Sequence, residues 1–292
     1  MFFAKNHEET PSRLRRSWYN AFMQENRSEL PSSDRMGMLI ASVLLTYALS
    51  RFIQSPGLTL SLSLPGFYYS FPLTLSFFLS MLAAALTAAG MDWLTRDHPA
   101  AVSNATREHL LLPTLTAFVL GTPLALLSNS SAWWWAFIVG AVLLAAVCIA
   151  EYISVDPTAP LYGFARAGLT AVAYALFLIL VTSLRFSGAR MVLVIPSVLI
   201  VAGLISLRIL HLDGTDRWDF PWAVGIGLVC AQIGAGLHYW PLSPVQFGLA
   251  VTGPLYALTM LSNSLTENIP LRRAMVGPII VAGVAWVTAI FL

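Results

Sequence analysis

The chain has 292 residues, of which 57% are hydrophobic and 10% charged, with a mean hydropathy of +0.73. Soluble domains carry about a quarter charged residues, so a soluble fold is excluded and an all-α, polytopic transmembrane helix bundle is expected. Sixteen Lys+Arg against 14 Asp+Glu leave a net charge of +2, too balanced for a nucleic-acid partner, and Cys148 and Cys230 sit in apolar runs without a CxxC or His-rich neighbourhood.

In chain order, residues 1–35 form a polar, basic tail and residues 36–292 the transmembrane domain. The tail spaces Leu14, Trp18 and Phe22 four apart among Arg13, Arg15, Arg16 and Arg27, after Thr10-Pro11. That pattern suits either an interfacial helix on anionic lipid or a flexible linker. The first apolar run starts only at Met36 and lacks a small-residue cleavage pattern, so it reads as a signal anchor.

A bilayer core of about 30 Å takes roughly 20 apolar residues. Nine stretches qualify: 36–53, 67–90, 110–127, 133–153, 167–184, 191–210, 220–239, 245–261 and 274–292. The seventh and eighth are separated at Trp240-Pro241-Leu242-Ser243-Pro244, where paired prolines close one helix and open the next. Between the first two spans, Leu58, Leu60, Leu62 and Leu64 alternate with Thr and Ser. Period two predicts an extended strand, serving as a lid, as a partner-docking edge or as a loop packed on its own bundle.

With the amino terminus inside, all 14 acids and all Lys and Arg except Arg51, Arg185 and Arg190 fall on the inner side, so the carboxyl terminus is expected outside. The aromatics then form belts: Tyr68, Tyr69, Trp133, Trp134, Trp135, Tyr239 and Trp240 at the outer boundary, Trp93, Trp218 and Trp222 at the inner one. Gly227, Ala231 and Ala235 recur every four residues and nominate the seventh helix as the centre of the bundle. Pro72, Pro113, Pro123, Pro196, Pro254 and Pro278 predict kinks or helix starts.

Ionisable groups are scarce at mid-depth. Arg51, Glu151, Arg208 and His238 lie near span ends where they are expected to snorkel, leaving Gln232, Tyr47, Tyr174 and Tyr256 as the deep polar set. Ion-coupled transport normally needs a buried carboxylate or His there, so a transporter would have to build its cavity around Gln232, Tyr174 and Tyr256. Glu151 and Asp156 close the fourth span and are expected to pair with Arg166.

The inner loops are richer. Asp92-Trp93-Leu94-Thr95-Arg96-Asp97-His98-Pro99 follows the second span, and Arg208 to Asp219, with His211, Asp213, Asp216 and Arg217, follows the sixth. Asp92, Asp97, Asp213, Asp216 and Asp219 could hold magnesium through oxygen ligands while Arg96, Arg208 or Arg217 neutralises a diphosphate. In length, in span number and in acidic motifs after spans two and six, the chain resembles the UbiA-type intramembrane prenyltransferases. That resemblance implies a magnesium-dependent enzyme with Asp92, Asp213 and Asp216 at the metal. The first motif of that family is Asn-Asp with further aspartates at short spacing, whereas here Gly90-Met91 precedes Asp92 and Asp97 is its companion. Solvated pairs such as Asp92 with Arg96, at helical spacing, account for the same residues without a metal. Arg96, His98, Arg208, His211, Arg217, His238 and Trp240 are the candidate ligand-binding side chains; His238 could ligate a pigment metal or serve as an interfacial anchor.

The phrases Gly90-Met91-Asp92-Trp93-Leu94, Ala150-Glu151-Tyr152, Ser206-Leu207-Arg208 and His238-Tyr239-Trp240-Pro241-Leu242-Ser243-Pro244 resemble a family of uncharacterised bacterial multi-pass membrane proteins. That resemblance implies the bacterial cytoplasmic membrane and carries no activity. Catalytic signatures such as a nucleophile elbow, HExxH or a Walker loop are absent. The leading expectation is therefore a non-catalytic membrane partner, scaffold or small-ligand binding component without a cofactor, surrounded by lipid and accompanied by a membrane-protein partner. The alternatives are a prenyltransferase-like enzyme and a small-molecule transporter.

Overall fold

The structure is a computed structural model that describes residues 31–53, 58–64, 67–96, 98, 108–212 and 218–292. The tail segment around Trp18, read as either an interfacial helix or a linker, lies outside the described residues. Among the described residues nine helices follow in order: α1 (Ser33–Phe52), α2 (Leu75–Arg96), α3 (Leu111–Leu126), α4 (Ala132–Ile153), α5 (Tyr162–Phe186), α6 (Met191–Leu212), α7 (Phe220–His238), α8 (Pro244–Thr266) and α9. The last is a single turn, Leu271–Ala274, continued as Val276–Phe291. A 3-10 turn, Glu108–Leu110, leads into α3. Seven of the nine, α2 and α4 to α9, are long and apolar enough to cross a membrane, and α3 is a shorter apolar helix. The chain is a transmembrane helical bundle.

The alternating leucines are a strand, as the period predicts, but they do not stand alone. Strand β1 (Leu58–Leu64) pairs antiparallel with β2 (Phe67–Leu73), with Leu64 opposite Phe67 and Leu58 opposite Leu73. The apolar run beginning at Phe67 is thus two elements. Phe67 to Leu73, rich in aromatics, completes the hairpin, and the helix starts eight residues later than expected, at Leu75. Pro72 consequently occupies a strand position opposite Thr59, rather than a helix kink or start.

The division of α7 from α8 has a local cause. Ser243 caps α8: its hydroxyl accepts from the Gln246 N–H (3.3 Å), while the Gln246 side-chain carbonyl accepts from the Ser243 N–H (2.7 Å), and Pro244 occupies the first helical position. From α5, Arg185 donates to the carbonyls of His238 (2.7 Å) and Trp240 (3.1 Å), satisfying acceptors that the end of α7 leaves free.

Helix α6 lies along α7, α8 along α9 and α2 along α3. The α6–α7 approach depends on glycine: a Cβ at Gly227 would fall 2.7 Å from the Leu199 carbonyl and 3.2 Å from the Gly203 nitrogen. The small-residue pattern therefore finds a close helix contact, but α7 is not the centre of the bundle. Among the seven long spans α8 is the most buried, and α7 exposes a whole face. One core runs through α3, α5, α6, α7 and α8 around Phe177, Ile205 and Phe247; a second joins α1, α2, α3 and α4 around Val43, Met91 and Leu144. The belt residues divide as well. Trp134, Trp135, Tyr239 and Trp240 are exposed, whereas Trp133 is buried, stacked on Phe137 (4.9 Å) and covered by the Arg51 guanidinium (5.1 Å).

Candidate functional site

The charged groups with the least contact with water lie at the carboxyl-terminal ends of α4 and α6. Helix α4 delivers Glu151 in its last turn, and α6 delivers Arg208; their side chains are 0% and 1% exposed. The expectation that both snorkel is corrected: each faces inward, where its charge is met by the other. The Arg208 Nη2 reaches Glu151 Oε2 at 2.5 Å and its Nε reaches Oε1 at 3.2 Å, a two-pronged pairing that the planar guanidinium suits. The expected partner for Glu151, Arg166, is displaced from this role by Arg208.

Two more groups complete the cluster. The 3-10 turn ahead of α3 presents His109, buried, with Nδ1 3.0 Å from Glu151 Oε2. A carboxylate paired with arginine only accepts, so Nδ1 carries the hydrogen. Ser154, three residues after Glu151, donates to the Glu151 carbonyl (2.9 Å) and lies 3.2 Å from both Oε2 and His109 Nδ1. Both carboxylate oxygens are occupied. Such a network is a lock between α3, α4 and α6, since a buried charge is tolerated only when paired and hydrogen-bonded.

His98, just after α2, is buried with its ring edge against Tyr152 (4.7 Å), and its backbone N–H bonds to the Thr95 carbonyl (3.1 Å). Burial pushes the His98 imidazole below its usual 6.5; the charge of Asp156 opposes this shift and His109 adds to it. Asp156 is itself held below its usual value by the hydroxyl and N–H of Thr158, 2.7 Å and 2.9 Å from Oδ1.

One turn from the cluster opens an apolar cleft of about 420 Å³ between α2, α3 and α6. Leu110 and Leu111 follow His109 at one end, Leu204 lies one turn before Arg208, and Met81, Ala84 and Phe118 supply the opposite wall. Thr114 is the polar residue of the lining, and its buried Oγ1 has no hydrogen-bond partner in the protein among the described residues.

Among the described residues, the remaining sequence candidates do not join this cluster. Asp92 is bridged to Arg96 at 2.5 Å along α2, with the Arg96 side chain 70% exposed. Asp219 precedes α7 without capping it through its side chain, and the His211 ring stacks on Trp218 at 4.8 Å. Asp97, Asp213, Asp216 and Arg217 lie outside the described residues. Among the described residues no group of three or more His, Cys, Asp or Glu side chains could hold a metal ion. His238 and Trp240 sit at the other end of the bundle, where Arg185 holds both their carbonyls. The deep polar residues divide. Tyr174 bonds Thr259 (2.6 Å) and meets the Tyr256 ring (5.0 Å), whereas Gln232 is exposed on α7.

His109 and Ser154 are the members of the cluster that sequence reasoning missed. Glu108-His109 was visible as a polar pair and Ser154 as the residue three after Glu151, but their joint approach to Arg208 depends on three helices meeting. No curated protein and no solved structure matches this chain. A family model matches residues 55–292, which takes in the hairpin, the cluster and the cleft. The chain belongs to that family, DUF5656, described as a protein of unknown function, and is thus a member of an uncharacterised multi-pass membrane family.

Proposed function

We propose that the protein is a component of a bacterial cytoplasmic membrane, amino terminus inside and carboxyl terminus outside, that binds a lipid-like amphiphile and has no catalytic centre of its own. The observation that carries this reading is the α2–α3–α6 cleft. Its volume of about 420 Å³ lies in the range of about 300–1,000 Å³ typical of ligand pockets. Its walls suit a hydrocarbon chain, and the unpartnered Thr114 hydroxyl suits one hydroxyl or ester carbonyl on that chain. The neighbouring Glu151 supports a binding role over acid–base chemistry, because Arg208, His109 and Ser154 already occupy its oxygens.

Native mass spectrometry of the protein in mild detergent tests this. A retained lipid-like molecule is expected, lost on filling the cleft with Ala84→Trp or Leu204→Trp and kept when Ile280, exposed on α9, is replaced by Trp. Thr114→Val is expected to lower occupancy about fivefold, the equivalent of one hydrogen bond of about 1 kcal/mol. Equal retention in the filled variants, or no bound amphiphile, overturns the reading.

A further inference from the structure

We propose that the outward face of α7 is the seam of a homodimer closed by Gln232. This glutamine is exposed, and its amide makes no side-chain hydrogen bond among the described residues. It stands six residues, about 9 Å, before the helix end at His238 and twelve residues, about 18 Å, after Phe220, so it lies within the hydrocarbon layer. An amide offers two donors and an acceptor, and acyl chains answer none of them. Elsewhere on the outer surface a polar group turns back on its own helix, as the Thr288 hydroxyl does to the Val284 carbonyl (2.9 Å). Gln232 has no such return.

The surroundings of Gln232 suit a helix. Gly225, Leu228, Val229, Gln232 and Gly236 share the exposed face, at the spacing of one helical stripe. Gly227 is required by the bundle itself; Gly225 and Gly236 are not, since a Cβ on either would meet nothing within 4 Å. Their flatness serves a neighbour outside the chain. A second copy fits best because the amide is self-complementary. A twofold axis along the membrane normal sets two α7 helices side by side in the same orientation, Gln232 facing Gln232, each donating N–H to the carbonyl of the other. The cleft proposed for the amphiphile lies on α2, α3 and α6, so the two proposals stand or fall separately.

The full chain in lipid vesicles, diluted over a wide lipid-to-protein range and read by energy transfer between labelled copies, is expected to dimerise. Gln232→Leu should weaken the dimer about tenfold, the scale of an interhelical polar contact in a membrane, while the melting temperature of the monomer, read at high dilution, stays unchanged because the side chain faces outward. Both native cysteines are buried. Oxidation of Leu228→Cys or Gly236→Cys is therefore expected to link two copies, and Ile280→Cys on α9 is not. A monomer at every dilution, a dimer indifferent to Gln232→Leu, linkage through residue 280 in place of 228, or stoichiometric capture of a different protein at residue 228 would each overturn the homodimer.

Discussion

Glu151 and Arg208 show how a charge near a helix end comes to be buried. Each has a long side chain that could reach water, and each was expected to do so, yet bidentate pairing with further bonds from His109 and Ser154 offsets the loss of hydration. Breaking the pair from one side leaves the other charge without a partner. Glu151→Ala and Arg208→Ala are each expected to cost about 3–5 kcal/mol, measured by thermal or denaturant unfolding in detergent, while the double change to Leu and Met costs much less. His98 carries a pH signature. Its folded-state pKa lies below the 6.5 of the unfolded chain, so the unfolded state binds the proton more readily. Stability is therefore full above about pH 7 and falls as the pH drops through 6.5 toward the lowered value. Melting curves between neutral and mildly acidic pH should show this decline, and His98→Phe should remove part of it.

At the level of elements, hydropathy located the helices because transfer of apolar surface into lipid depends on composition more than on neighbours. It misassigned Phe67 to Leu73, where an apolar run has the right composition for lipid but pairs as a strand with the alternating segment before it. The split at residues 240–244 was legible because its cause is local: two prolines and a Ser/Gln capping box. Gly227 was legible as a small residue in a stripe, but its partner surface, the Leu199 carbonyl and Gly203, was not. Gly227→Val is expected to force α6 and α7 apart at a cost of about 1–3 kcal/mol, read as a lower melting temperature. Gly168→Ala, in open space on α5, serves as the comparison and should melt no lower than the unchanged protein.

For the whole molecule, the one-sided charge assignment predicts which ends face the cytoplasm. A periplasm-specific reporter fused after Leu292 should be active, and a cytoplasmic reporter there silent; the reverse result would invert the topology. The end of the bundle that this assignment would turn inward is the one that carries the Glu151 cluster and, one turn away, the cleft. Asp92 pairs with Arg96 along one helix, as the solvated-pair reading of these residues expects, and Asp97, Asp213 and Asp216 lie outside the described residues.

What the sequence determined by itself is what hydropathy, charge and turn chemistry encode locally: a membrane bundle, the approximate extent of its helices, the extended leucine segment and the break between α7 and α8. The tertiary structure decided which polar groups face one another. Glu151 and Arg208 are 57 residues apart, and His109 is 99 from Arg208. Pairing over such separations depends on the rotation of each helix about its axis, which close packing sets and which composition does not record. The same rotation turns Thr114 into a cleft and Gln232 out toward the membrane.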